Sequence, residues 1–196
     1  MRDNSHLFLS DSRFLKNYLS IYILDSTADI TRTDIGYSYL SILQTGGSLT
    51  IVSSEIHHSN IGIWQSSGSI AMSQSSVRDN TQYGIYGIEG TLTLTNTNFQ
   101  GNNFTIYLSP AVDFIHSNNT AQNNTFNGII MNGATIADRI WTKDSMPYIV
   151  FSNATSSTVI ISQGDTLTID PGAVVKFAFP FSKILTYGTL NANGTA

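Results

Sequence analysis

A short phrase of alternating polar and apolar residues returns about every 21 residues along the first two thirds of the chain. Clear copies lie at residues 47–51, 68–72 and 90–94. In each copy one polar residue separates two apolar side chains, which is typical of a β-strand with one buried face. A fixed period of this length indicates repeats that bury their apolar faces only by stacking on one another.

Three columns of apolar residues keep this period, so the pattern predicts three short strands in every coil. The first column pairs two positions of one strand: Leu7 with Leu9, Ala28 with Ile30, Leu49 with Ile51, Ile70 with Met72, Leu92 with Leu94, and Val112 with Phe114. The second column is Phe14, Ile35, Ile56, Val77, Phe99 and Thr120. The third column is Ile21, Ile42, Ile63, Ile85, Ile106 and Ile129.

Small polar residues recur in the predicted turns. Three residues after the second column lie Asn17, Ser38, Ser59, Asn80, Asn102 and Asn123. Short polar side chains at such a position can bond to turn backbone and to their counterparts one coil away. A further small polar pair, such as Thr95 and Thr97, follows the first strand and is expected to point outward. A regular outward ladder of this kind would favour ice binding, but Val52 and His116 interrupt it.

Together these features resemble the right-handed parallel β-helix family, the pectate-lyase-like superfamily. The resemblance covers roughly residues 5–133 and depends on the period and the columns. It implies an all-β fold, a right-handed parallel β-helix (β-solenoid) with coils of about 21–22 residues and three short strands per coil.

The period breaks near Asp138, which predicts a boundary between residues 1–138 and residues 139–196. The later segment carries a Pro171–Gly172 turn directly before an apolar strand. This arrangement resembles the opening segment of bacterial surface β-helix proteins. We therefore expect residues 1–138 to form β-helix coils and residues 139–196 to begin a second, truncated β-helix module. The chain is expected to be part of a longer polypeptide, with neighbouring β-helix modules as partners.

Composition narrows the function classes further. The chain has 196 residues, nine Lys and Arg, and a formal net charge of −4, which disfavours nucleic-acid binding. No apolar run reaches the length of about 18 residues that a membrane span needs. The absence of cysteine excludes disulfides and thiol chemistry. The Cys and His spacings of metal sites are also missing, so no metal site and no cofactor is predicted.

Aromatic residues provide the main candidate binding surface. Directly after the third column lie Tyr22, Trp64, Tyr86 and Tyr107, and they are expected to point outward. Flat aromatic faces at coil spacing can stack on sugar rings, so these four are the candidate carbohydrate-binding residues. The alternative is an outer stripe covered by a loop, by the neighbouring module or by another subunit.

A polar cluster near the second column is the main candidate for chemistry. Glu55, His57 and His58 lie in one coil, and Arg78 and Asp79 lie in the next, so their side chains can meet. The resemblance implies that lyases of the family use several acidic residues with calcium, and that its hydrolases use grouped aspartates. Here only two Glu occur and eleven Asp are spread along the chain. No catalytic residue is therefore predicted, and a solvated turn edge is the favoured interpretation.

These observations favour a non-catalytic structural or adhesive segment over an enzyme. The resemblance implies a secreted or cell-surface protein. The alternative is a polysaccharide-binding or polysaccharide-cleaving module of the pectate-lyase type, with a polysaccharide or other glycan as its partner.

Overall fold

The chain winds into a right-handed parallel β-helix of about nine coils. The computed structural model describes residues 5–135, 137–152 and 158–194. Within these ranges the chain forms 26 strands, and every strand pair is parallel. The predicted fold class is confirmed. The same ranges contain no helix long and apolar enough to cross a membrane.

The first six coils contribute one strand to each of three sheets. The first sheet contains β1 (His6–Ser10), β4 (Thr27–Thr31), β7 (Ser48–Val52), β10 (Ser69–Ser73), β13 (Thr91–Thr95) and β16 (Asp113–Ser117). The second contains β2 (Arg13–Leu15), β5 (Asp34–Gly36), β8 (Glu55–His57), β11 (Ser76–Arg78), β14 (Asn98–Gln100) and β17 (Thr120–Gln122). The third begins with β3 (Leu19–Leu24), β6 (Leu40–Thr45), β9 (Ile61–Gln65), β12 (Tyr83–Gly87), β15 (Phe104–Leu108) and β18 (Phe126–Met131).

The last coils continue only the third sheet. It extends through β21 (Tyr148–Val150) and β24 (Val175–Phe177). The other two faces start new sheets. One is built from β19 (Gly133–Ala134), β22 (Val159–Ile161) and β25 (Ile184–Thr186), and the other from β20 (Arg139–Trp141), β23 (Thr166–Ile169) and β26 (Thr189–Ala192). Residues on both sides of the predicted boundary near Asp138 therefore share one sheet, and the division into two modules stays a prediction.

The register confirms the third column along its whole length. Ile21, Ile42, Ile63, Ile85, Ile106 and Ile129 are aligned in that order, and Tyr148 and Val175 extend the column. The five isoleucines after Ile21 have no exposed surface. This column is the continuous part of the apolar core.

The register of the sixth coil differs from the prediction. Phe114, not Val112, aligns with Leu92, and His116 aligns with Leu94. The turn before β16 is longer, since six residues lead from Leu108 to Phe114 against five from Gly87 to Leu92. A turn hydrogen bond from Val112 N–H to the Ser109 carbonyl takes up the additional residue.

The same shift moves two later positions by one residue. Ala121, not Thr120, aligns with Phe99. Asn124, not Asn123, continues the turn ladder, because its Oδ1 accepts from the backbone N–H of Asn102 at 2.8 Å. Both expectations were wrong for the same physical reason, the longer turn upstream.

The ladder itself joins side chains to backbone from coil to coil. Its members are Asn17, Ser38, Ser59, Asn80, Asn102 and Asn124, and each of the last five accepts a bond from the backbone N–H of the member before it. Asn80 Nδ2 also donates to Asn102 Oδ1 at 2.9 Å, and Asn102 Nδ2 donates to Asn124 Oδ1 at 3.0 Å. The ladder satisfies N–H groups that the turn buries away from water.

A second ladder occupies the turn between the first and second sheets. Its members include Thr33, Ser54, Ser75, Thr97 and Asn119. Thr97 is 1% exposed, and its hydroxyl donates to the Thr95 carbonyl. For the second residue of each expected outward pair, such as Thr97, the expectation was wrong, because the residue before it has a positive φ, as in Asn96 at 50°, and turns the next side chain inward. An outward ice-binding ladder is thereby ruled out at these positions.

We predict that Asn102→Ala lowers the free energy of unfolding by roughly 3 kcal/mol, because it leaves several buried polar groups without partners. Among them are the Asn80 N–H and the Val77 carbonyl. Equilibrium denaturation in urea measures the change. Asn103→Ala is the matched control, since no ladder bond involves its side chain, and it should change the same quantity by less than about 0.5 kcal/mol. Equal effects of the two substitutions would contradict the role of the ladder.

Candidate functional site

The four candidate carbohydrate-binding residues share one column on the outer side of the third sheet. Tyr22, Leu43, Trp64, Tyr86 and Tyr107 are aligned from coil to coil. Trp64 contacts Tyr86 at a ring-centroid distance of 5.4 Å, and Tyr86 contacts Tyr107 at 5.6 Å. Tyr22 is 41% exposed and is separated from these three by Leu43. We call this surface the aromatic face.

The rings of the aromatic face meet edge to face or at a tilt, so they do not form one flat surface. Trp64 and Tyr86 meet edge to face at 84°, and Tyr86 and Tyr107 are tilted by 41°. The indole Nε1 of Trp64 is buried and has no hydrogen-bond partner among the described residues. Burial, together with nearby Tyr83 and Tyr86, raises the pKa of the Tyr107 hydroxyl to about 12. The aromatic face is therefore an apolar patch with few polar atoms that are accessible for hydrogen bonds.

A second aromatic column, which the pattern did not reveal, widens this face. Tyr83, Phe104 and Phe126 are aligned, and the rings of Phe104 and Phe126 stack at 4.9 Å. Strict alternation would place Tyr83 on the same side as buried Ile85. Its ring instead lies 5.0 Å from that of Tyr86 on the outside. A Cβ on the intervening Gly84 would lie 3.4 Å from the side chain of Asn102, which shows that residue 84 faces inward.

Residues beyond the predicted boundary cover part of the aromatic face. The ring of Phe151 lies 5.4 Å from Phe104, 5.5 Å from Phe126 and 6.0 Å from Tyr107. Phe179 in turn contacts Phe151 at 5.3 Å. The end of the face near Tyr107 is thus partly occupied within the chain, whereas the end near Tyr22 is open.

The predicted polar cluster forms on the outer side of the second sheet. Arg78 forms ion pairs with Glu55 and with Asp79 Oδ2, the latter at 2.8 Å. His57 Nδ1 lies 2.8 Å from His58 Nδ1, so one of the two nitrogens carries the proton. The five predicted residues do meet, as coil stacking indicated.

Asp34 belongs to the same cluster, although the sequence pattern did not single it out. His57 donates from Nε2 to Asp34 Oδ1 at 2.5 Å, and Arg13 donates from Nε to Asp34 Oδ2 at 2.9 Å. Gly36 makes room for the imidazole, because a Cβ there would lie 2.8 Å from His57 Cε1. The spacing of 23 residues between Asp34 and His57 is slightly longer than one coil, which hides the pair from a search at the repeat period.

Ligand-type atoms of Asp34, Glu55 and His57 lie within 4.8 Å of one another. Both carboxylates already face an arginine, Asp34 facing Arg13 and Glu55 facing Arg78. Burial would raise the pKa of Asp34, but hydrogen bonds from His57 and Arg13 outweigh it and hold that pKa below its usual value. The cluster is therefore best described as an ion-pair network in which each of these carboxylates faces an arginine of the protein itself.

Comparison with known proteins identifies the repeat. The family model described as "Right handed beta helix region" matches residues 1–139. Neither the curated proteins nor the solved structures yield a significant match to the chain.

We predict that Asp34→Asn lowers the free energy of unfolding at neutral pH by about 1 kcal/mol. Because the pKa of Asp34 is lowered by folding, its contribution is complete above the unfolded-state pKa of about 3.9 and is lost as pH falls through the lower folded-state value. The difference between parent and variant should therefore shrink below about pH 4. Chemical denaturation at several pH values measures it, with exposed Glu89→Gln as the control. A difference that is independent of pH would contradict the ion-pair interpretation.

Proposed function

The chain belongs to the right-handed β-helix family, and we propose that it serves as a non-catalytic structural or adhesive segment. The observation that carries the proposal is the third sheet, whose eight parallel strands run without interruption from Leu19 to Phe177. At a strand spacing of roughly 4.8 Å, the seven intervals of this sheet give a length of about 34 Å. Such a stack suits a spacer that holds its outer faces in fixed positions.

The pairing of charges on the second sheet supports a non-catalytic function. An acid or base catalyst needs a group whose proton or lone pair is free for the substrate. In the polar cluster, Asp34 is held by His57 and Arg13, while Glu55 is held by Arg78. These contacts favour a stabilising network over a polysaccharide-cleaving centre.

A secreted or cell-surface location and contact with neighbouring β-helix modules are part of the same proposal. Apolar side chains are exposed in the last described coils, among them Phe177, Phe181 and Leu190. A further coil or module stacked on that end would remove them from water, as neighbouring repeats do in solenoids.

Polysaccharide binding at the aromatic face is the second candidate function. Trp64, Tyr86 and Tyr107 lie in one column, and Tyr22 adds an exposed ring at the open end. A sugar ring can pack on an aromatic face while hydroxyl groups bond at its edge. Because Nε1 of Trp64 is buried and the rings are tilted, the rings must rotate slightly before a sugar can stack on them.

For the leading proposal we predict no release of unsaturated or reducing sugars when the purified protein is incubated with a panel of acidic and neutral polysaccharides, with and without calcium. Absorbance of unsaturated products and a reducing-end assay measure the outcome. Turnover would overturn the non-catalytic proposal, provided that Arg78→Ala or Glu55→Gln abolishes it. Turnover that is unchanged in both variants would indicate a contaminant only if a second purification step removes it, and would otherwise also overturn the non-catalytic proposal.

For the second candidate we predict that Trp64→Ala combined with Tyr86→Ala abolishes binding on a polysaccharide and glycan array. Tyr22→Ala should weaken glycan binding. We expect this substitution to leave the fold intact, because Tyr22 makes no ring contact with another described aromatic residue. Tyr37→Ala, which alters an exposed aromatic residue on another face, is the control. Binding that survives the double substitution in a folded protein would remove the aromatic face as the binding surface.

A further inference from the structure

A cleft opens where the sixth coil meets the seventh. The first sheet ends at β16 and the second at β17, while β19 and β20 of the next coil pair with β22 and β23 instead. Among the strands of the described residues, only those of the third sheet, β18 and β21, pair across this junction. Two faces therefore lose their coil-to-coil pairing, and at one of them a cavity of about 330 Å³ lies between β16 and β20.

The walls of the cleft come from both sides of the junction. Residues 112–116 form one wall, residues 138–142 form the other, and Met131 and Tyr148 close the inner end. Arg139 ties the walls together, since its Nε donates to the Pro110 carbonyl at 3.1 Å and its Nη2 to the Ala111 carbonyl at 2.7 Å. The cleft is thus held open by fixed contacts.

A buried polar chain forms the floor of the cleft. His116 takes the register position that Leu94 fills one coil earlier, and its side chain has no exposed surface. Its Nδ1 lies 2.7 Å from Asp144 Oδ2, and its Nε2 lies 2.7 Å from the Tyr148 hydroxyl. The Thr142 hydroxyl lies 3.3 Å from the same Nε2.

The direction of these hydrogen bonds determines what the floor offers a ligand. The Asp144 carboxylate only accepts, so Nδ1 of a neutral His116 carries the proton and Nε2 accepts from the Tyr148 hydroxyl. Burial raises the pKa of Tyr148 to about 12, which keeps its hydroxyl neutral. Since the proton of Tyr148 is used by His116, its oxygen acts only as an acceptor, and the hydroxyl and backbone N–H of Thr142 already face it.

The rim and walls add a free acceptor and apolar surface. Asp113 is exposed and makes no hydrogen bond through its carboxylate within the described part of the chain. Trp141 stacks on Tyr148 at 4.8 Å with an interplanar angle of 5°, and Phe114 stacks on His116 at 4.5 Å. Ile140, 58% exposed, extends the apolar surface toward the mouth.

We propose that this cleft binds a single neutral sugar ring, at a site separate from the aromatic face. A sugar combines hydroxyl donors, which suit the carboxylate of Asp113, with an apolar C–H surface, which suits Phe114 and Ile140. The volume lies at the lower end of the range of about 300–1,000 Å³ for small-molecule pockets, which fits one ring or a chain end and excludes an extended chain. The proposal rests on glycan binding as a function of this chain, and not on the aromatic face as the binding surface, because it specifies a separate glycan contact.

Tryptophan fluorescence allows a direct test, because the chain has only two tryptophans. In the Trp64→Phe protein, Trp141 is the sole tryptophan and reports on the cleft. Titration with a panel of free hexoses, N-acetylhexosamines and hexuronates should give a saturable emission change for at least one neutral sugar. Saturation-transfer NMR with the parent protein should detect the same sugar.

Two variants test the assigned contacts. Asp113→Ala should weaken binding of that sugar by about tenfold, whereas Glu89→Ala, which removes an exposed carboxylate elsewhere, should leave it unchanged. Thermal unfolding checks that all variants are folded. Equal affinity in Asp113→Ala and the parent would overturn the proposed site, as would the absence of any emission change and NMR transfer across the panel.

The outcomes separate this proposal from glycan binding at the aromatic face. Polysaccharide binding that depends on Trp64 and Tyr86, with no monosaccharide response at Trp141, would overturn the cleft and leave the aromatic face standing. A monosaccharide response that depends on Asp113, with no polysaccharide retained by the aromatic face, would support the cleft and remove the aromatic face.

Discussion

The fold depends on satisfying the buried polar groups at the turns between the second and third sheets. Each coil has to turn sharply there without water, and the ladder of Asn and Ser side chains supplies the missing acceptors. At four of the six ladder positions the third strand matches the size of the ladder residue. Ser38 and Ser59 contact Ser20 and Ser41, at 2.9 and 2.8 Å between hydroxyl oxygens. Where the ladder carries the larger Asn80 and Asn102, the matching positions are Gly62 and Gly84. Ladder and strand thus form one packing unit.

The parts of this fold that the sequence predicts are those in which every coil repeats the same physical requirement. An isoleucine at the third column is needed wherever the core is continuous, so its period is visible and correct through Ile129. The turn before β16 is different, because one additional residue leaves both Val112 and Phe114 as acceptable apolar choices for the first column. Only the hydrogen bonds of the turn decide between them.

The outer faces were harder to predict, because nothing in the core constrains them. Asp34 and His57 pair across coils at a spacing that differs from the period, and Tyr83 leaves the alternating pattern beside a glycine. Both depend on local backbone shape, which a count of apolar positions does not capture. The same freedom allows an ion-pair network on one face and an aromatic face on another over a common core.

The junction after the sixth coil is where the chain departs most from the repeat pattern of the other coils. A leucine position carries His116, and two sheets stop at the same level. A buried imidazole is costly unless its nitrogens are bonded, and here Asp144 and Tyr148, both from the seventh coil, bond them. Stacking alone does not require this arrangement, since six coils stack without it. Departures from local consistency that are supported by a dedicated set of partners are expected at functional sites. On that reasoning the cleft, and not the regular surface of the other coils, is the part of the molecule where a ligand site is most expected.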